Sequence, residues 1–423
     1  MSLLTDSPPP VSAIALIKNP GIFRLWTAGA TVITIRWLEL VGLGIYIYET
    51  TGSPLMVSGV MFCRMVPMVM FGMVAGALGA RFDRKSLSTA GLAVMTLTAV
   101  VLALLANAGL LTIVHITIGA FIAGVYNAGE FPVRRSMVAD IAGAENAGTA
   151  MALESVSLNG SRLLGPLFAG IALEASGVAG LYWVTAALYG IGLVAIATLA
   201  YSRPPRDGDK RASFVSDLLA GVHELRTNRM LVAALSVTVT MNFFFFPFST
   251  MIPVIGKEQF DLSATMIGLL ASAHGIGAFF GALVLSLRPQ RNLVKIYCYG
   301  SVFSLITLVA FSMAPTFETS AFFMLLTGIG LSGFSATQAA IVYLAARPAC
   351  RTQAMGLLTV CIGTGPFGTL HLGYMADLMG AQWAVFVMAA EGVVALGLST
   401  LIWPELRGRD KVEALDHAAG ETR

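Results

Sequence analysis

The sequence is dominated by long apolar stretches, each close to the length of a helix that crosses a lipid bilayer. Cutting the chain at its Gly, Pro, Asn and charge clusters leaves twelve such stretches. The hydrocarbon core requires roughly 20 apolar residues in helical form, and these stretches are too long and too continuously apolar for barrel strands. They lie at 22–49, 55–80, 87–107, 110–131, 147–174, 178–201, 230–256, 264–287, 293–314, 319–345, 353–377 and 382–403. The sequence therefore predicts an all-α integral membrane protein with twelve transmembrane helices.

Composition excludes the main alternatives to a membrane protein. Charged residues make up 12% of the 423 residues, whereas soluble proteins carry about 25%. A soluble chain of this size could not cover its surface with so few charges, and the same shortage excludes a disordered chain or a coiled coil. The net charge of +3 is too small to indicate a nucleic-acid partner.

No pattern in the sequence indicates an enzyme or a cofactor. The chain has no HExxH, GxSxG or P-loop motif, so we expect no catalytic residues and no ATP-driven pumping. Its four cysteines have neither CxxC spacing nor a histidine at ligand distance. We therefore interpret them as packing residues and expect no metal and no disulfide.

The distribution of basic residues predicts the orientation of the chain. With the N-terminus inside, 22 of the 26 Lys and Arg residues fall in cytoplasmic segments. Lys257 is the one basic residue in the outer loops, and three more lie within predicted spans. Cytoplasmic loops of membrane proteins carry this excess of positive charge. We expect a multi-pass membrane protein with both termini cytoplasmic.

A long polar segment divides the spans into two sets of six. Residues 202–229 begin as a linker rich in Pro, Gly and charge and end as an amphipathic helix. The predicted domains are thus an N-terminal bundle (1–201), this cytoplasmic linker (202–229), a C-terminal bundle (230–403) and a cytoplasmic tail (404–423). The pattern GxxxGAL ends the second span of each half, at 72–78 and at 277–283. Paired six-helix halves are typical of secondary transporters.

The loop after span two has a recognisable pattern. It reads GALGARFDRK over 76–85 and resembles the signature gating loop of the major facilitator superfamily, G-x-L-a-D-R-x-x-R-R/K. The match covers Gly76, Leu78, Arg81, Arg84 and Lys85. The resemblance implies two six-helix bundles around a central cavity that work by alternating access. The family's acidic residue is Ala80 here, which puts the usual latch at the cytoplasmic face in doubt, and Asp83 is a candidate substitute.

Span five contains GPLFAG over 165–170. This resembles the G-P-x-x-G-G core of the antiporter motif of drug/proton exchangers, with Ala169 in the penultimate position. Gly165 and Gly170 allow close helix approach, and we expect Pro166 to bend the span. Generic small-residue packing is the alternative reading. Together with FPVRR at 131–135, the motif is similar to the bacterial enterobactin-exporter-like branch of the superfamily. This resemblance implies a protein of the bacterial cytoplasmic (inner) membrane.

Charges inside spans are costly and mark candidate functional residues. Arg36 and Glu39 share a face of span one, and Glu39 and Arg64 lie roughly 13 Å deep from the outer side, so an ion pair between them is expected. Arg162 lies near the midplane of span five. We interpret Glu39 as the proton-coupling carboxylate. The alternative is a static network of these four charges that only fixes packing.

Five further residues are candidates on weaker grounds. His274 is a second proton-site candidate because histidine titrates near neutral pH, although a buried neutral histidine is the simpler reading. Glu130 is either an inner gate or an interfacial charge paired in sequence with Arg134. Asn242, with Pro247, should break the helix of span seven at the cavity. The remaining cavity candidates are Asn127 and Glu391.

These features predict a monomeric secondary active transporter that exports an amphipathic small molecule, a drug or a siderophore-like compound, in exchange for protons. The cavity implied by Arg36, Glu39, Arg64 and Arg162 has three positive charges against one negative, which makes an anionic substrate a competitor to a cationic drug. The alternatives left open are transport of an anionic siderophore or metabolite by import or uniport, and a non-transporting receptor on the same fold. Small molecule, protons and lipid are the expected partners, without nucleic acid or cofactor.

Overall fold

The computed structural model describes residues 12–143, 146–201, 228–287 and 292–407. Within these ranges the regular secondary structure is helical and contains no strand. The amphipathic helix predicted in 202–229 falls outside the described residues, except for Asn228 and Arg229. Residues 408–423 of the predicted tail are outside them as well.

The first half contains six helices. They are α1 Ala13–Ile17, α2 Pro20–Thr51, α3 Pro54–Arg81, α4 Arg84–Asn107, α5 Ile113–Ala142 and α6 Ala147–Ala197. Helix α5 continues to Ala142, whereas the predicted span four ends at 131. Its last turns contain polar residues, so a prediction based on apolar stretches does not include them. Helix α6 holds predicted spans five and six, separated where Ser176 and Gly177 leave helical geometry. Gly177 has φ +63°, a conformation that glycine adopts at little cost.

The second half follows the predicted spans with two interruptions. Its helices are α7 Arg229–Thr240, α8 Ile252–Phe260, α9 Ala264–Ser286, α10 Leu293–Ser312, α11 Phe317–Ala345, α12 Arg351–Ile362, α13 Gly365–Met379 and α14 Ala381–Ile402. Between α7 and α8 lie a π-helical turn, Met241–Phe245, and a 3-10 turn, Phe246–Thr250. The predicted break at Asn242 and Pro247 is therefore confirmed. Span eleven, predicted as one helix, is divided into α12 and α13.

The helices are compatible with twelve crossings of a membrane. Ten helical runs in the described residues are long and apolar enough to span a bilayer, judged by length and composition. One of them, Thr149–Ala197, includes the two predicted spans that Ser176 and Gly177 separate. Helix α5 is not among the ten and corresponds to predicted span four. An exposed apolar stripe on α4 has the spacing of a lipid-facing helix surface and consists of Val94, Leu97, Val101 and Leu104.

The chain divides into two compact units. The first comprises Met1–Tyr46 with Cys63–Asp207, and the second comprises Ile47–Phe62 with Gly208–Arg423. The end of α2 and the start of α3 thus belong to the second unit. In that unit α9 crosses α11 where Gly277 lies against the Leu325 carbonyl, so a Cβ at Gly277 would clash with backbone. The contacts of the matching first-half glycines, 72 and 76, lie outside the described side chains.

Candidate functional site

A buried ion pair joins the middles of α2 and α3. Arg64 Nη1 donates to Glu39 Oε2, and both side chains are less than 10% exposed. The expected pairing of Glu39 with Arg64 is therefore confirmed. A small cavity adjoins the pair and is lined by Leu43, Met95, Leu102, Tyr182 and Tyr189. The two charges neutralise each other in surroundings where either charge alone would be costly.

Helix α5 comes very close to the backbone of α3 beside Arg64. A Cβ on Gly124 would collide with the Arg64 carbonyl and with the Pro67 ring. Glycine at 124 therefore allows the close approach of α5 to α3 at the level of the ion pair.

Arg36 and Arg162 are placed differently from Arg64. Arg36 lies on the same helical face as Glu39, but in the described part of the chain no acidic side chain lies within ion-pair distance of Arg36 or of Arg162. The Arg162 guanidinium lies over the Trp37 ring, 5.3 Å from its centroid. The predicted network of four charges is thus one ion pair plus two arginines without a carboxylate.

The antiporter-like motif holds α6 against α2 at this level. A Cβ on Gly165 would meet Trp37 Cβ at 2.6 Å and the Thr34 carbonyl at 2.9 Å. The Thr34 and Ser161 hydroxyls share a hydrogen bond of 2.8 Å. Gly165, Pro166 and Gly170 are all buried. Backbone angles depart from helical values in α6 at Ser176 and Gly177, not at Pro166, so a hinge at Pro166 stays a prediction.

A second buried charge cluster lies at the predicted cytoplasmic end of the first unit. Arg134, 2% exposed, donates to Glu130 one turn before it and to Glu154 on α6. Its guanidinium occupies the space that a side chain at Gly29 would need. Glu130 is thus paired with Arg134, as one reading predicted. Glu154 was not predicted as a candidate, although an acidic residue inside predicted span five could have indicated one.

The candidate gating loop forms local contacts in the described residues. Arg84 Nη1 donates to Asp140 Oδ2 over 2.6 Å, and the Tyr201 hydroxyl donates to the same oxygen over 2.6 Å. Asp83 caps α4 by accepting from the Ser86 amide. Hydrogen bonds from the Ser86 hydroxyl and from the Ser86 amide lower the pKa of Asp83 below its usual range. Asp83 therefore stabilises its own helix, and its role as a substitute for the missing latch residue stays a prediction.

Other members of the predicted loop carry less information. Lys85 is half-buried, and the side chains of residues 72–81, including Gly76 and Arg81, lie outside the described part. Asn127 is half-buried on α5, on the helical turn before Glu130.

The second-unit candidates lie apart from one another. Asn242 is buried in the π-helical turn, and its Nδ2 donates to the Thr238 carbonyl over 2.9 Å. His274 is buried against the Phe248 ring, with ring centroids 5.4 Å apart. Glu391 is exposed on α14. These contacts do not join them into one site.

A polar cluster in the second unit was not predicted. It joins the hairpin between α2 and α3 to α8 and α13: Lys257 Nζ donates to Glu49 over 2.6 Å and Ser53 Oγ donates to Asp377 over 2.9 Å. The Tyr48 hydroxyl donates to Glu258 over 2.8 Å. Sequence could not reveal these contacts because their partners are some 200 to 320 residues apart.

Comparison with known proteins covers nearly the whole chain. The family model described as transmembrane secretion effector matches residues 11–420. The staphyloferrin A transporter of Staphylococcus aureus is 22% identical over 351 residues, which are 82% of this chain and 87% of that protein. Macrolide efflux protein A of Streptococcus pyogenes is 22% identical over 408 residues, which are 92% of this chain and 97% of that protein.

Solved structures share the fold. The crystal structure of a D-xylose-proton symporter superimposes with a TM-score of 0.71 at 12% identity and covers 94% of this chain and 100% of its own. At this identity the similarity concerns the architecture alone.

Proposed function

The chain belongs to the transmembrane secretion effector family of the major facilitator superfamily, and we propose that it exports an amphipathic small molecule in exchange for protons. Membership makes it a multi-pass membrane transporter of a small molecule and not an enzyme. Export is proposed because macrolide efflux protein A of Streptococcus pyogenes matches this chain over 92% of its length.

The Glu39–Arg64 ion pair carries the proposal of proton coupling. A buried ion pair costs desolvation, so its presence beside a cavity needs a reason beyond packing. A proton on Glu39 would remove its charge and leave Arg64 without a counter-ion in the interior. That change gives protonation a means of favouring a rearrangement, and the reverse step restores the pair.

Inverted membrane vesicles provide the test. Vesicles that contain the protein are given a panel of amphipathic anions, cations and neutral compounds, with and without a protonophore. We expect accumulation of at least one compound that the protonophore abolishes. Glu39→Gln should abolish proton-driven accumulation, whereas Glu318→Gln, at an exposed residue on the first turn of α11, should leave it unchanged.

The outcomes separate the alternatives. Accumulation that resists the protonophore would refute proton coupling and support uniport. Uptake only into right-side-out vesicles would indicate import, and ligand binding without flux would indicate a receptor. Unchanged proton-driven transport by the Glu39→Gln variant would remove Glu39 from the coupling mechanism.

We also propose that the transporter acts as a monomer with both termini in the cytoplasm. The orientation of the termini rests on the 22 basic residues assigned to one side of the membrane. Single cysteines at Ser2 and Thr422, in a background without the native cysteines, should react with an impermeant maleimide in inverted vesicles and not in intact cells. Mass photometry of the purified protein checks the monomer.

A further inference from the structure

Two arginines at mid-helix are left without a counter-charge. Arg36 is near the centre of α2, Pro20–Thr51, and Arg162 is near the centre of the first part of α6, before its break at Ser176. In the described part of the chain neither forms an ion pair with an acidic side chain. Unpaired charge at membrane depth is costly, so these two arginines are candidates for binding a negatively charged ligand.

The groups at this position are hydrogen-bond donors. Arg162 Nε and Trp37 Nε1 are both buried and have no acceptor in the described residues. Guanidinium and indole groups donate and do not accept. Arg36 is exposed, although it lies at the middle of its helix. The site therefore supplies two positive charges and two buried N–H donors whose hydrogen bonds are not satisfied by the described residues.

The neighbouring charges do not provide a counter-ion for Arg36 and Arg162. Arg36 and Arg162 repel each other electrostatically. Arg64 also repels Arg36, and its own charge is met by Glu39. Glu130 attracts Arg36 without contacting it and is bonded to Arg134. The local balance is positive even with every facing charge included.

The scaffold holds the donors in place. Trp37 packs directly on Gly165 of α6, and the Thr34–Ser161 hydrogen bond of 2.8 Å fixes the two helices one turn away. Arg162 lies on the Trp37 ring. Positions of this kind favour binding because little freedom is lost when a ligand arrives.

We propose that Arg36 and Arg162, together with Trp37, form an anion-binding site and that the transported molecule is an amphipath with one or more carboxylates. Each guanidinium can donate two parallel hydrogen bonds to a carboxylate. The Trp37 ring offers apolar surface to the rest of the molecule. A cationic amphipath would be repelled here. The inference rests on the proposed transport function, for which it names the substrate class.

Binding of a matched pair of probes tests the site. The probes are dansyl-aspartate, an amphipathic dicarboxylate, and its neutral dimethyl ester, and binding to the full-length protein in nanodiscs is followed by dansyl fluorescence. We expect the dicarboxylate to bind at least tenfold more tightly than the ester. Arg36→Gln and Arg162→Gln should each weaken dicarboxylate binding by about tenfold or more, the loss typical of a charge-assisted hydrogen bond.

Three controls accompany this binding measurement. Ester binding that is the same in wild type and variants shows that the variants are folded. Arg162→Lys keeps the charge and loses the bidentate geometry, so an intermediate loss is expected. Arg135→Gln removes an arginine that is exposed and lies over Phe131, outside the site, and should change nothing.

Equal binding of acid and ester by the wild type, or an unchanged preference in both glutamine variants, would overturn the proposal. If either result is obtained while neutral or cationic compounds are still transported in a proton-driven manner, the anion-binding site is refuted and the export function is supported. Arginine-dependent binding of the dicarboxylate without transport of any compound would instead support the site and refute export.

Discussion

Arg134 on α5 is buried against Glu154 on α6, and it also bonds to Glu130 on its own helix. One guanidinium therefore faces two carboxylates at the predicted cytoplasmic end of the first unit. This is where the family-like signature loop has Ala80 in place of its acidic residue. The cluster joins α5 to α6 without using that loop.

Loss of Arg134 should be costly. Arg134→Ala leaves two buried carboxylates without a counter-ion, and breaking a buried pair in this way costs about 3–5 kcal/mol. Glu154→Gln keeps the Glu130 pair, so we expect a smaller loss. Thermal unfolding in detergent measures both. The neighbouring exposed Arg135→Ala is the control and should stay within about 0.5 kcal/mol. Equal stability of Arg134→Ala and Arg135→Ala would contradict the assignment.

Gly165 should not accept a side chain. Gly165→Ala places a methyl group 2.6 Å from Trp37 Cβ and 2.9 Å from the Thr34 carbonyl, so α6 must move away from α2. We expect a loss of about 1–3 kcal/mol, the usual cost of overpacking. Gly160→Ala is a matched control on the same helix, because nothing lies within 4 Å of its added Cβ. That variant should be neutral or slightly stabilised. If both variants unfold at the same temperature, the close crossing is wrong.

The hairpin of α2 and α3 should open more readily when its polar contacts are removed. Glu258→Gln weakens the bond from Tyr48 and the contact with the Ala381 amide. Exposed polar contacts contribute little to global stability, roughly 0–1 kcal/mol each, so the unfolding temperature should barely change. Hydrogen exchange of peptides that cover residues 48–58 should become several-fold faster. Unchanged exchange there, or an equal effect of Glu318→Gln, would show that these contacts do not hold the hairpin.

Asp83 should make stability depend on pH below neutrality. Its hydrogen bonds with Ser86 lower its pKa from the usual 3.8, so the folded state favours the ionised carboxylate. Its stabilising contribution is therefore complete above pH 3.8 and is lost as the pH falls through the lowered pKa. Asp83→Ala removes the helix cap at a cost of about 1 kcal/mol. Unfolding measured at pH 7 and at pH 3 should show a larger wild-type advantage at pH 7. An advantage that is independent of pH would contradict an ionic cap.

The helix ends were largely predictable because a bilayer fixes how many apolar residues a span needs. The predicted start of span three at 87 is three residues from the observed start of α4 at Arg84. Hydropathy could not locate the end of α5 at Ala142, since its polar last turns satisfy their backbone hydrogen bonds as a helix whether or not lipid surrounds them. Nor could it separate α12 from α13, since both lie in one apolar stretch.

By itself the sequence determined the membrane-spanning helices, the family and the in-span charges, because a low-dielectric environment allows few charges and makes each one conspicuous. It also allowed the Glu39–Arg64 pair to be expected from depth alone. The tertiary structure decided which charges meet. The close crossing at Gly165 and the space beside Gly29 that Arg134 fills depend on packing between distant segments. That packing gave Arg134 two carboxylates, whereas Arg36 and Arg162 have none among the described residues.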